Sequence, residues 1–292
     1  MPFQIITDTA SSLSYDYLVK NDVKVVSFKY YFGDEEFDTY VPSNDETWLK
    51  SFYARVSKKE SAHTSMVNAD SFTKAFTEVL DQGKDFIYLA FSSALSGTYN
   101  NAVSVREQLQ PLYPDRKMYI FDTLSAAQGL ALNVDFAVKH RDRGDTLDQI
   151  YNWQVENTQK ICQWFIVDDL FFLKRGGRIS GATAVAGTVL GIKPVLHVSS
   201  EGKLVKMDTA RGRKGALDAL VSRYEKYAVM PKSNKVFIGH ADCLEDAEYV
   251  KKQIKDKCGT KDFDISFINP LIGVHAGPKA MTVFFYGEGR GD

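Results

Sequence analysis

Short apolar runs alternate along the whole chain with segments whose apolar positions recur every three or four residues. That alternation predicts layered α/β structure. Phe3–Thr7 reads as a strand, Ser14–Lys20 as the helix after it, and Val23–Tyr31 as one further strand. Over Asp70–Leu80, residues Phe72, Ala75, Phe76, Val79 and Leu80 fall on one helical face. The unbroken run Asp85–Phe91 has the composition of a parallel strand buried on both sides. A helix over Thr98–Leu109, a strand over Met118–Phe121 and a helix over Ala126–His140 continue a series of βα units, for which a parallel sheet is the natural arrangement.

A helix over Gly144–Thr158 leads into a second half of different texture. Strands are expected at Ile161–Val167, Pro194–Val198, Lys203–Met207, Lys235–His240, Phe263–Ile268 and Met281–Tyr286, with helices at Gly215–Tyr227 and Leu244–Lys257. Ser199-Ser200-Glu201-Gly202 is a hairpin signal between two of these strands. The expected fold is therefore α/β with two domains: a parallel-sheet domain over residues 1–158 and a mixed-sheet α/β domain over 159–292.

Composition removes several function classes. Lys and Arg number 36 against 37 Asp and Glu, and the net charge of −1 provides no bulk attraction to nucleic acid. No run of eighteen apolar residues occurs, so stable membrane insertion is not expected. The N-terminal segment lacks the basic and apolar regions of a signal peptide. Cys162, Cys243 and Cys258 are scattered without zinc spacing, which fits reduced thiols in a cytoplasmic protein. Neither a metal nor a cofactor is expected.

Four polar loops could carry chemistry, because strand ends and helix N-termini aim unpaired N–H groups outward. In His63-Thr64-Ser65-Met66, two adjacent hydroxyls can donate to an anion, although Asn68 is better placed to cap the helix that follows. In Ser92–Tyr99, Ser96 and Gly97 put a hydroxyl and open backbone at the carboxyl end of a buried strand, where open parallel sheets place ligands. Lys174-Arg175-Gly176-Gly177-Arg178-Ile179-Ser180-Gly181 is neither a P-loop nor a dinucleotide fingerprint. Ser180 is a plausible cap there for a small-residue helix over Ala182–Leu190. In Gly273–Pro278, His275 stands between glycines in what reads as a turn, free to donate to a carboxylate and to titrate near neutral pH.

A serine hydrolase is the alternative. Ser96 with His275 and Asp8 or Asp122 could be drawn as a triad, yet the GxSxG elbow is missing.

Taken in order, Thr7–Leu13 (TDTASSL), Thr64–Met66 (TSM), Ser92–Tyr99 (SSALSGTY), Gly176–Ser180 (GGRIS) and Gly273–Pro278 (GVHAGP) resemble the motifs of the DegV family. That family includes the fatty-acid-binding subunits of bacterial fatty acid kinase. The resemblance covers essentially the whole chain and departs at Val67, where the family usually has proline. It implies a two-domain α/β fold around a buried long-chain fatty acid as ligand, with no catalytic residue in this chain. The carboxylate would be held by Thr64, Ser96 and His275, with Ser65 and Gly97 beside them. Arg178 and Arg211 would meet an ATP-binding fatty acid kinase subunit, which makes acyl phosphate for phospholipid metabolism. A buried carboxylate needs several convergent donors, and about fourteen methylenes at ~0.8 kcal/mol each give the tail most of the affinity. Phe165, Phe171, Phe172 and Ile272 are candidate tail contacts.

Overall fold

The computed structural model describes residues 2–43, 45–179 and 191–291. The expectations for Ser180 and for a helix over Ala182–Leu190 lie outside the described residues.

The first half is built on four parallel strands in the order β2-β1-β6-β7: β1 (Phe3–Asp8), β2 (Val23–Val26), β6 (Asp85–Ala90) and β7 (Met118–Asp122). Every residue of β6 is buried, as an apolar run at the centre of a covered sheet requires. Helices α1 (Tyr15–Lys20), α3 (Ala69–Leu80), α4 (Thr98–Leu109), α5 (Gln128–Asp142) and α6 (Leu147–Asn157) pack on it. The five apolar residues expected on one face of α3 are all buried, and Asn68 caps that helix by accepting from the Ser71 N–H at 2.8 Å.

Val23–Tyr31 is not one strand. The chain leaves the parallel sheet after Val26, because the Phe28 N–H donates to Thr9 Oγ1 (3.1 Å) and the Phe28 carbonyl accepts from the Thr39 N–H (3.1 Å). It then enters an antiparallel sheet of order β4-β3-β5, made of β3 (Lys29–Phe32), β4 (Glu35–Asp38) and β5 (Ala62–Ser65). His63-Thr64-Ser65 therefore belongs to an edge strand rather than to a loop. Helix α2 (Thr47–Ser57), not anticipated, buries Leu49, Phe52, Tyr53 and Val56.

Six strands form the mixed sheet of the second half, in the order β10-β9-β8-β13-β11-β12: β8 (Ile161–Ile166), β9 (Ile192–Val198), β10 (Leu204–Arg211), β11 (Lys235–His240), β12 (Asp262–Phe267) and β13 (Met281–Tyr286). Only β11 and β12 run parallel. Gly202, at φ +75°, lets the Ser199–Gly202 turn close the β9–β10 hairpin. Short α7 (Phe171–Arg175), then α8 (Gly212–Tyr227) and α9 (Leu244–Cys258), follow the strands. The segment around His275, expected to be a turn, is helix α10 (Pro270–Ala276). Asn269 caps it, Pro270 stands where a missing N–H costs nothing, and Gly277 at φ +76° ends it. Among the described residues no helix is long and apolar enough to cross a membrane.

Helix α5 packs against strands of both large sheets. One apolar cluster joins Tyr30, Phe32, Phe52 and Tyr53 to Phe165, Phe172, Val274 and Phe284. Within it the buried Tyr53 hydroxyl donates to the Ile268 carbonyl at 2.7 Å. Tyr53→Phe leaves that carbonyl short of a partner and is expected to cost about 1–2 kcal/mol in urea unfolding.

Candidate functional site

A cavity of about 100 Å³ lies where these elements meet, several times the ~15 Å³ that admits one water. Its apolar wall includes Phe28 and Phe91 from the first half and Phe165, Val198, Leu204 and Phe284 from the second. Thr64, Ser65, Ser96, Arg178, His275 and Thr282 supply the polar lining. Thr282 is already engaged, since its Oγ1 donates to Gln128 Oε1 (3.1 Å) and accepts from the Gly239 N–H (2.8 Å).

The other polar groups come from separate elements. Thr64 and Ser65 end β5, Ser96 sits in the turn between β6 and α4, and His275 lies in the last turn of α10. Thr64 Oγ1 and His275 Nε2 are 2.9 Å apart. Ser96 Oγ lies 2.9 Å from Thr98 Oγ1 and accepts from the Thr98 N–H at 3.3 Å. Arg178 donates to the Gly176 carbonyl through Nη1 and to the Leu95 carbonyl through Nη2 at 3.2 Å. The Arg178 pKa is lowered by burial.

One glycine makes this packing possible, and a second lies against a movable side chain. A Cβ on Gly176 would meet His275 Nδ1 at 2.2 Å, so the backbone there can only be glycine beside the ring. A Cβ on Gly97 would meet Met66 Sδ at 2.7 Å. Met66 itself lines the cavity while 54% exposed, and so reaches from wall to solvent.

His275 does not titrate near neutrality. Burial, with the charges of Arg178 and Arg175 adding to it, pushes its pKa down to about 3. Its Nδ1 is sealed from solvent and has no hydrogen-bond partner among the described residues. A histidine held neutral in the fold takes up its proton more readily once unfolded, so this residue erodes stability as pH falls from ~6.5 toward 3. NMR of the imidazole is expected to show it still neutral at pH 5, where a free histidine is almost fully protonated. A bound anion beside the ring should raise that pKa.

The hydrolase triad is not assembled. Asp8 is fully buried and accepts from the Tyr88 hydroxyl (2.6 Å) and from the N–H groups of Phe91 (3.0 Å) and Ala10 (2.9 Å). Burial raises its pKa to about 6 against these bonds. Asp122 accepts from the N–H groups of Ser93 and Leu124. Neither carboxylate reaches His275, whose hydroxyl partner is Thr64 and not Ser96.

Of the residues singled out in the sequence, Thr64, Ser65, Ser96 and His275 share one cavity, and Gly97 supports Met66 beside it. Arg178, expected on a partner-facing surface, is half-buried in the same lining. Arg211 ends β10 exposed to solvent, outside the lining. Phe165 and Ile272 line the cavity, whereas Phe171 is 50% exposed and Phe172 is buried against Gly277. Met66 and Thr98 were overlooked, although both sit inside motifs that drew attention for their neighbours.

Residues 2–288 match the family described as an uncharacterised protein family, DegV. A DegV domain-containing protein of Clostridium perfringens is 40% identical over 286 residues, 98% of each chain. DegV domain-containing protein YteA of Lactococcus lactis is 33% identical over 97% of each. Among solved structures, a fatty-acid-binding DegV family protein from Thermus thermophilus superposes with a TM-score of 0.86 at 24% identity, over 98% of this chain and 100% of its own. DegV of Bacillus subtilis, described as a fatty acid binding protein, gives 0.82 at 24% identity, over 99% and 100%. At these identities the structural likeness establishes a shared fold.

Proposed function

This chain belongs to the DegV family, and on that premise we propose that it binds one long-chain fatty acid and presents the carboxylate to an ATP-dependent kinase partner. The observation that carries the reading is the grouping of Thr64, Ser65, Ser96, Arg178 and His275 in an otherwise apolar cavity. Fatty acid binding in the solved relatives from Thermus thermophilus and Bacillus subtilis supports it.

In this reading the neutral His275 donates from Nε2 to Thr64 Oγ1, which leaves the Thr64 hydroxyl proton free for the carboxylate. Ser65 and Ser96 add hydroxyl donors. Among the described residues Arg178 supplies the positive charge in the lining itself, so the anion is not buried uncompensated. A long acyl chain needs more room than the cavity encloses, and the flexible side chain of Met66 is suited to yield. This chain performs no bond-making step. The kinase partner supplies ATP and forms the acyl phosphate.

Arg178 and Arg211 test the two halves of the proposal. Arg178→Gln is expected to weaken fatty acid binding about tenfold in isothermal titration, the loss of one charge-assisted contact. Arg211→Gln should leave that affinity unchanged and lower only the rate of phosphorylation by the partner kinase. Unchanged lipid affinity in both variants would remove Arg178 from the carboxylate site.

A further inference from the structure

We infer that Thr98 is a positioning residue that fixes the direction of the Ser96 hydroxyl proton, making Ser96 an obligatory donor into the cavity. The inference rests on the proposed carboxylate site and adds to it a residue outside the lining.

Thr98 is fully buried, and its hydroxyl has one proton to give. Two groups stand within hydrogen-bond distance of Oγ1 among the described residues: the Val67 N–H at 3.3 Å and Ser96 Oγ at 2.9 Å. An amide N–H can only donate, which leaves Ser96 Oγ as the acceptor among the described residues for the buried Thr98 proton; donation to Ser96 spares that proton from being unsatisfied. The Thr98 N–H also donates to Ser96 Oγ, at 3.3 Å. Both acceptor directions of Ser96 Oγ are then filled from α4, and its own proton remains for whatever occupies the cavity.

This arrangement depends on Val67 having an N–H. The resemblance noted above would place proline there, and a proline has no amide proton to give. The same segment is held a second time, because Asn101 Nδ2 donates to the Val67 carbonyl at 2.9 Å. The first turn of α4 thus grips both polar groups of the Val67 backbone, two residues beyond Ser65. A donor-only Ser96 suits an acceptor-rich carboxylate and penalises a head group that can only donate, such as an ammonium.

The test compares a sixteen-carbon fatty acid with the alcohol of the same length, using wild type, Thr98→Val, Thr98→Ser, Ser96→Ala and the Thr98→Val/Ser96→Ala double variant. Thr98→Val is expected to weaken the acid about tenfold and the alcohol less than threefold, with Thr98→Ser restoring wild-type selectivity. In the Ser96→Ala background the Thr98→Val change should add nothing, since its effect passes through Ser96. Faster hydrogen exchange at the Val67 amide in Thr98→Val reports the lost acceptor without any lipid. Normal acid affinity in Thr98→Val beside a weakened Ser96→Ala overturns the inference while the cavity reading stands. So does an equal loss from Thr98→Val in both backgrounds, which would mark a purely structural role. Wild-type protein that binds no acid overturns the cavity reading and this inference together.

Discussion

Affinity for straight-chain saturated fatty acids is expected to rise about fourfold with each added methylene until the cavity is filled. Each buried CH₂ is worth ~0.8 kcal/mol, and a factor of ten in affinity is 1.4 kcal/mol. Six methylenes, from eight carbons to fourteen, therefore amount to about 5 kcal/mol, or a few thousandfold. The head-group contribution stays constant along such a series, because in the proposed site Thr64, Ser96 and His275 would meet the same carboxylate each time. Titration calorimetry across the series should give a straight line of log affinity against chain length, with a break where the wall ends. A flat series would mean that the apolar lining contributes no contact with the tail.

Loss of the Arg290 guanidinium is expected to destabilise the fold by several kcal/mol. Arg290 is 3% exposed and lies beyond β13. Its guanidinium donates to the carbonyls of Leu124, Ser199 (3.0 Å), Thr123 (3.0 Å) and Thr158 (3.3 Å), and to Ser125 Oγ (3.3 Å). The segment around Arg290 is thereby tied to the β7–α5 loop, to the end of α6 and to the β9–β10 turn. Arg290→Met would leave several buried carbonyls without their donor, a loss of roughly 3–5 kcal/mol by the cost of unsatisfied buried groups. Thermal unfolding should fall by about 10 °C for a chain of this size. A shift below ~2 °C would show that water replaces the guanidinium at these carbonyls.

The layered α/β architecture was legible in the sequence because its strongest signals are local. The unbroken run Asp85–Phe91 and the periodic face of α3 both lie where expected, as do the strands Lys235–His240 and Met281–Tyr286. The small antiparallel sheet was not legible. Its strand Glu35–Asp38 is mostly exposed and polar, and Lys29–Phe32 reads as a continuation of β2 until Thr9 and Thr39 are known to hold Phe28. Helix α2 did carry a readable signal, with Leu49, Phe52, Tyr53 and Val56 at helical spacing.

At the site, individual residues were visible but their relations were not. Thr64 and His275 stand 211 positions apart, and nothing local to either announces a 2.9 Å contact. The same holds for the protonation of His275. A histidine between glycines suggests a group that titrates near neutrality, whereas burial beside Arg178 and Arg175 keeps it neutral far into the acid range. The pairing of Ser96 with Thr98 rather than with a histidine likewise depends on how α4 begins.

Mass spectrometry of the purified protein, first under native conditions and then after denaturation with organic extraction, decides whether the cavity holds a lipid. A bound ligand is expected to show as a stoichiometric added mass that leaves on denaturation and extracts as a long-chain fatty acid. A native mass equal to that of the bare chain, in protein that also fails to take up added fatty acid, would contradict fatty acid binding by this chain.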